Sequence, residues 1–282
     1  MPARTVHRNA PVATYPSLED FLTRETDPSG LVEIRHGLPL HLHWTDNGSD
    51  VTFVAFAGAM LSTTHTVPIF GGYTLTRELS SNVLLVSDPA LVLDTSLTIG
   101  WYAGTQQIDH LQRDLTGIIR SLVGRTRVVL FGPSGGGFAA LEQAPRFPGS
   151  TVLVSNPLTH VNLEPREHVE QYFHLAWGID SPADPAEAPF VHEVISTYSG
   201  PVDTQVVCSQ NTGDGYHDQT HWGPFLQQLH PQNRVLTLRP DLGPGHVGPG
   251  KRPFLELFRA VTEHNEWEEI QRAARSVELV VD

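Results

Sequence analysis

Arg127-Val128-Val129-Leu130-Phe131-Gly132-Pro133-Ser134-Gly135-Gly136-Gly137-Phe138-Ala139-Ala140-Leu141 is the stretch from which the rest of the chain is read. Its β-branched, apolar first half has the composition of a buried strand. It breaks at Gly132, presents Ser134, and continues through small residues into a helical segment from Phe138 to Glu142. The spacing Gly132-x-Ser134-x-Gly136 is that of a nucleophile elbow, a sharp strand-to-helix turn that lifts a serine Oγ above a sheet. The turn brings helix backbone against strand backbone, so a side chain at position 132 or 136 would clash. The helix that follows points free N–H groups and the positive end of its dipole at whatever reacts at Ser134, a place suited to an oxyanion.

Glycine-rich strand-to-helix turns also cradle phosphates, and this one does not fit that use. A Walker-type loop needs Gly-Lys-Ser/Thr, whereas the only lysine of the chain is Lys251. Gly132, Gly135 and Gly137 miss the spacing of the dinucleotide fingerprint, and the turn lies in mid-chain.

Composition narrows the partners. The chain has 282 residues, 39% of them hydrophobic, a length that allows one large α/β domain or two small ones, and a fold of this size buries about 75% of its unfolded surface. Aspartate and glutamate outnumber lysine and arginine by 31 to 18, with no basic run, so nucleic acid is excluded as a partner and the net charge of -13 serves solubility. Cys208 is the only cysteine and lies in an apolar run, which rules out an internal disulfide and makes it a small buried hydrophobe. The first residues lack the apolar stretch of a secretory signal, and no window approaches the length of a membrane span. The expectation is a soluble cytoplasmic protein with no membrane partner.

Taken in order, residues 1 to 16 are expected to form an extended arm. Ser17 caps a short helix reaching Thr26, and Leu31 to Arg35 and Pro39 to Trp44 form a hairpin at the sheet edge, turning near Gly37. Val51 to Phe56 and Asn82 to Val86 are strands, and Gln106 to Val123 carries Ile108, Leu111, Leu115, Ile118, Ile119 and Leu122 at helical spacing. After the elbow come strands at Thr151 to Val154, Thr204 to Gln210 and Arg234 to Leu238. Between Asn156 and Pro201, helical pieces at Glu164 to Trp177 and Pro189 to Tyr198 flank the Pro- and Asp-rich Asp180 to Ala186; residues 160–200 read as a short cap or as plain core helices. Trp222 to Leu229 and Pro253 to Ser276 are the last helices. Strand, helix, strand, elbow and helix in succession imply parallel strands with right-handed crossovers, in a single domain spanning 1–282.

A serine hydroxyl needs an imidazole to take its proton and a carboxylate to orient that imidazole. Gln210-Asn211-Thr212-Gly213-Asp214 follows one strand and Gly245-His246 follows the last, which makes Asp214 and His246 the candidates, with Asp218 a second carboxylate four residues on. With the elbow and the chain order Ser134, Asp214, His246, the sequence from Val51 onward resembles the α/β-hydrolase superfamily. That resemblance implies a mostly parallel central sheet flanked by helices, and a catalytic Ser134, Asp214 and His246. It further implies an oxyanion hole from the N–H of Gly135 and one from the loop after the Val51 to Phe56 strand, at Gly58, Ala59 or Met60.

His217-Asp218-Gln219-Thr220-His221 offers a candidate zinc-binding pair, since histidines four apart can share a helix face, with Asp214 or Asp218 as a third ligand. Gly215 upstream and Trp222-Gly223-Pro224 downstream leave room for barely one turn, so no metal and no cofactor is expected, and His217 and His221 should line the pocket rim. The expected function is a serine hydrolase that cleaves a small ester or thioester through an acyl-enzyme. An acyltransferase with the same residues and a hydrolase-fold binding protein without turnover are the rivals.

Overall fold

The computed structural model describes residues 5–6, 12–60, 66–180 and 189–281. Most of the expected N-terminal arm, and residues 181–186 of the expected Pro- and Asp-rich spacer, lie outside the described residues.

Among the described residues, nine strands form one sheet, in the spatial order Arg234–Leu238, Thr204–Ser209, Ser150–Ser155, Arg127–Pro133, Val51–Phe56, Asn82–Val86, Leu38–Thr45, Gly30–His36 and Val12–Tyr15. Pairing is parallel from Arg234–Leu238 through Asn82–Val86; only Leu38–Thr45 runs against the rest. Every residue of Val51–Phe56, Asn82–Val86 and Ser150–Ser155 is buried, as a parallel sheet covered on both faces requires. Alternation along each strand then sorts side chains between two cores. Val54, Leu84, Leu130 and Val152 pack with Leu115, Ile118 and Phe138 on one face. Phe53, Leu85, Val129 and Leu153 pack with Leu257, Phe258 and Ile270 on the other.

Several expected boundaries shift, each for a local reason. The arm supplies the Val12–Tyr15 strand, which pairs with Leu31 to Ile34, so the Gly30–His36 and Leu38–Thr45 hairpin is not the sheet edge. The Ser17-capped helix ends at Leu22 rather than Thr26, where the Arg24 guanidinium takes the Phe21 carbonyl at 2.8 Å. The helix expected from Gln106 starts at Leu111, because Thr105 Oγ1 accepts the N–H groups of Gln107 and Ile108 and closes a turn ahead of it. Of Pro189 to Tyr198 only Ile195–Tyr198 is helical. The final helix divides into Lys251–Thr262 and Trp267–Ser276, and the break lets both apolar stripes reach the same sheet face. No helix among the described residues is long and apolar enough to cross a membrane.

The order of strands reverses at Val51–Phe56, which has Asn82–Val86 on one side and Arg127–Pro133 on the other. In an open parallel sheet the crevice for a ligand forms at such a point, beyond the carboxyl ends of the strands. Gly58 lies just beyond Val51–Phe56 and Ser134 directly follows Arg127–Pro133, and the segments holding Asp214 and His246 follow Thr204–Ser209 and Arg234–Leu238 at the same end.

Candidate active site

Ser134 stands at the junction of the Arg127–Pro133 strand and the Ser134–Gln143 helix with φ at 51°, in the left-handed region that costs a residue with a Cβ on the order of 1–2 kcal/mol. Surrounding backbone enforces the bend. A Cβ at Gly132 would lie 2.0 Å from the Gly136 carbonyl oxygen, and one at Gly136 would lie 2.4 Å from that of Phe56. Helix, strand and neighbouring strand thus meet with no room for a methyl group. Ser134 is half-buried; its carbonyl accepts the N–H of Leu158, and its Oγ makes no hydrogen bond to a described residue. Gly135 follows in the first turn, where helical geometry leaves N–H groups without an internal partner.

The loop after Val51–Phe56 comes up beside the serine. A Cβ at Gly58 would lie 3.6 Å from that of Ser134 and 3.0 Å from the Pro133 carbonyl oxygen. Two ties hold the loop. Ala57 N–H donates to the Tyr102 hydroxyl at 2.7 Å, which donates onward to the Val86 carbonyl at 3.0 Å, and Met60 N–H donates to the Thr98 carbonyl at 2.9 Å. Of the three oxyanion donors expected in this loop, Met60 is therefore already committed to another acceptor, and Gly58 and Ala59 are left. Tyr102 is itself held by Asp88, whose carboxylate accepts the N–H groups of Tyr102 at 2.8 Å and Ala90 at 3.0 Å. Burial pushes the Asp88 carboxyl up to about 6 against the pull of these donors.

The two residues expected as acid and base meet each other. Asp214 is buried, and its Oδ2 lies 2.6 Å from Nδ1 of His246. An imidazole that gives its Nδ1 proton to a carboxylate keeps Nε2 as an acceptor. Asp218, the competing carboxylate, pairs with Arg239 at 2.6 Å instead. Two asparagines brace the loops that carry the pair. Asn211 donates from Nδ2 to the carbonyls of Gly243 and Gly245, both at 2.9 Å, and accepts the N–H of Leu242 on Oδ1. Asn156, at φ 41°, accepts the N–H of Asn211 and donates to the Val247 carbonyl, each at 2.8 Å. Nothing in the residue pattern announced either asparagine as a brace; Asn211 stood in the quoted turn without a role.

Electrostatics follow from this packing. Burial lowers the His246 pKa below its ordinary value, the neighbouring His217 lowers it further, and Asp214 pulls the other way. For Asp214, burial acts to raise the carboxyl, but hydrogen bonds from His217 and His246 outweigh it and leave it below the ordinary range.

His217 and His221 do not behave as a pair on the rim. His217 gives Nδ1 to the second oxygen of Asp214 at 2.7 Å and lies against the His246 ring, centroids 3.9 Å apart. His221 is wholly buried; its Nδ1 accepts the Thr159 N–H at 3.2 Å, and its Nε2 faces Glu164 Oε1 at 3.2 Å. A π-helical turn at Asp218–Trp222 carries His221 inward beneath His217. Exposed residues at the same place are Tyr216 and Leu163, joined by a hydrogen bond from the tyrosine hydroxyl to the leucine carbonyl at 2.6 Å.

No protein-family model matches the chain, and no curated protein matches it. Among solved structures, the capsule O-acetyltransferase of Neisseria meningitidis serogroup A matches with a TM-score of 0.59 at 13% identity, over 80% of this chain and 92% of that one. Prolyl oligopeptidase B from Galerina marginata matches with a TM-score of 0.52 at 17% identity, over 91% of this chain and 39% of that one. At these identities the likeness is one of fold.

Proposed function

We propose that this chain, which has the α/β-hydrolase fold, is a serine hydrolase that cleaves a small ester or thioester through an acyl-enzyme on Ser134. The observation that carries the reading is the 2.6 Å contact between buried Asp214 and His246, at the sheet end where Ser134 is held in a left-handed turn. Ser134 Oγ attacks the acyl carbon and its proton passes to Nε2 of His246, while Asp214 stabilises the imidazolium. The N–H of Gly135, with that of Gly58 or Ala59, receives the negative charge on the carbonyl oxygen. His246 then protonates the leaving group, and water releases the acyl group by the reverse sequence.

A fluorophosphonate probe tests this reading. It should label the wild type and leave Ser134→Ala unlabelled; equal labelling of the two removes Ser134 from the chemistry, and no labelling of either favours a binding protein with no turnover. The lowered His246 pKa gives a second expectation. As pH falls the imidazole gains a proton and loses the lone pair that accepts from serine, so the acid limb of kcat/KM should lie below 6.5, the ordinary value of the group. A limb at or above 6.5, measured with an ester whose own ionisation is silent, counts against His246 as the base.

The fold likeness to an O-acetyltransferase supports a second reading, in which an alcohol takes the acyl group from Ser134 in place of water. Adding candidate alcohols during turnover separates the two, since a transferase partitions product toward the new ester and a hydrolase releases the free acid.

A further inference from the structure

A serine relay needs one histidine on its carboxylate, and Asp214 carries two. Oδ1 is bound to Nδ1 of His217 at 2.7 Å and Oδ2 to Nδ1 of His246 at 2.6 Å. One donor atom from each of the three residues lies within 4.8 Å of the others. Two imidazole nitrogens and a carboxylate gathered this closely are the donor set of zinc and of copper(II), which in a three-ligand site takes water in its fourth position.

We propose that Asp214, His217 and His246 form a divalent-metal site of the zinc class, and that filling it switches off the hydrolase; the second clause rests on the function proposed above, and the first does not. The proton accounting explains the switch. In the metal-free site each imidazole donates from Nδ1 to Asp214. A metal ion bound to Nδ1 displaces that proton to Nε2, so each ring keeps one proton. For His246 the Nε2 lone pair that would accept the serine proton is then gone. For His217 the relocated proton would face Glu164, whose Oε1 stands 3.7 Å from Nε2, a few tenths of an ångström beyond hydrogen-bond reach. Glu164 is fixed in that post by His221, whose Nδ1 is committed to the Thr159 N–H, leaving its Nε2–H to face the same oxygen at 3.2 Å. A carboxylate on the outer nitrogen of a metal-bound histidine is the usual means of holding such a ring.

The site departs from the histidine pair considered from sequence. His221 supports from behind, and His246, far away in the chain, takes its place as ligand. The charged and titratable groups around the three ligands are Glu164, His221 and Tyr216, with Asp218 engaged by Arg239 nearby.

Calorimetric titration of the purified chain with zinc chloride near neutral pH tests the site, with competition by EDTA. The wild type should show one strong binding step that His217→Gln removes. Glu164→Gln, which keeps all three ligands, should weaken that step by about 10–100-fold and serves if the first variant does not fold. Fluorophosphonate labelling of the wild type should fall in proportion to zinc occupancy and return when EDTA is added. Absence of a strong step, or one that survives both substitutions, overturns the site. Labelling that ignores zinc bound there overturns the switch. Binding that tracks the two variants in a protein that turns over no ester supports the metal site and removes the hydrolase reading instead.

Discussion

Replacing His246 with alanine is expected to cut kcat/KM toward an acyl ester by about 10⁴–10⁶-fold, because base and leaving-group acid are lost in one step. The proposed chemistry uses this imidazole twice, first to take the serine proton and then to hand it to the departing oxygen or sulfur. Without it Ser134 must lose its proton to water, and only the N–H groups of Gly135 and the Gly58 to Ala59 loop remain to favour the tetrahedral state. Their contribution should leave a residual rate above the uncatalysed reaction. Initial rates with a chromogenic short-chain ester measure the loss. A fall of less than about 10-fold would place the proton elsewhere, and His217, bound to the other oxygen of Asp214, would be the first residue to examine.

Gly132→Ala should destabilise the fold by about 3 kcal/mol or more, although it adds a single methyl group. That methyl would lie 2.0 Å from the Gly136 carbonyl oxygen and 2.1 Å from its carbon, both backbone atoms of the elbow helix. They cannot swing aside as a side-chain tip would. Relief requires the helix start to move, and the helix start is pinned in turn where Gly136 meets the Phe56 and Ala57 carbonyls. Gly117 provides the internal comparison. It lies within the Leu111–Val123 helix with nothing within 4 Å of its added Cβ, so Gly117→Ala should stabilise by roughly 0.5–1 kcal/mol. Denaturant unfolding of the two variants reads both signs. Equal stability of Gly132→Ala and the wild type would mean that strand and helix stand farther apart at this turn.

The elbow was legible in the sequence for the reason that makes Gly132→Ala costly: steric exclusion acts at fixed spacing, and spacing is what a sequence records. Strands buried on both faces were legible as continuous apolar runs at Val51 to Phe56 and Asn82 to Val86. Asp214 and His246 could be nominated because each lies in the loop that follows a strand, and the structure brings them into contact. What sequence did not display is everything fixed by loops crossing one another. Asn156 and Asn211 brace three loops through four groups, yet each reads as an ordinary turn residue. His217 and His221 stand at α-helical spacing in the sequence, and the wider turn at Asp218–Trp222 sends them to different depths. Met60 was a reasonable donor by position, but its N–H is taken by Thr98, a partner 38 residues away in the chain. Backbone pairing of that kind leaves no mark on residue identity.

The two ties on the loop beside Ser134, from Ala57 to the Tyr102 hydroxyl and from Met60 to the Thr98 carbonyl, carry a consequence for how energy is spent during a turnover. An arm clamped at both ends has made its rearrangement during folding. In the proposed chemistry the amides between the clamps would meet developing charge as fixed dipoles, where water would have to reorient, and a rigid dipole of this kind favours the transition state over the ground state. The buried Asp88 carboxylate behind Tyr102 then acts at a distance, as part of the cost of keeping those amides still.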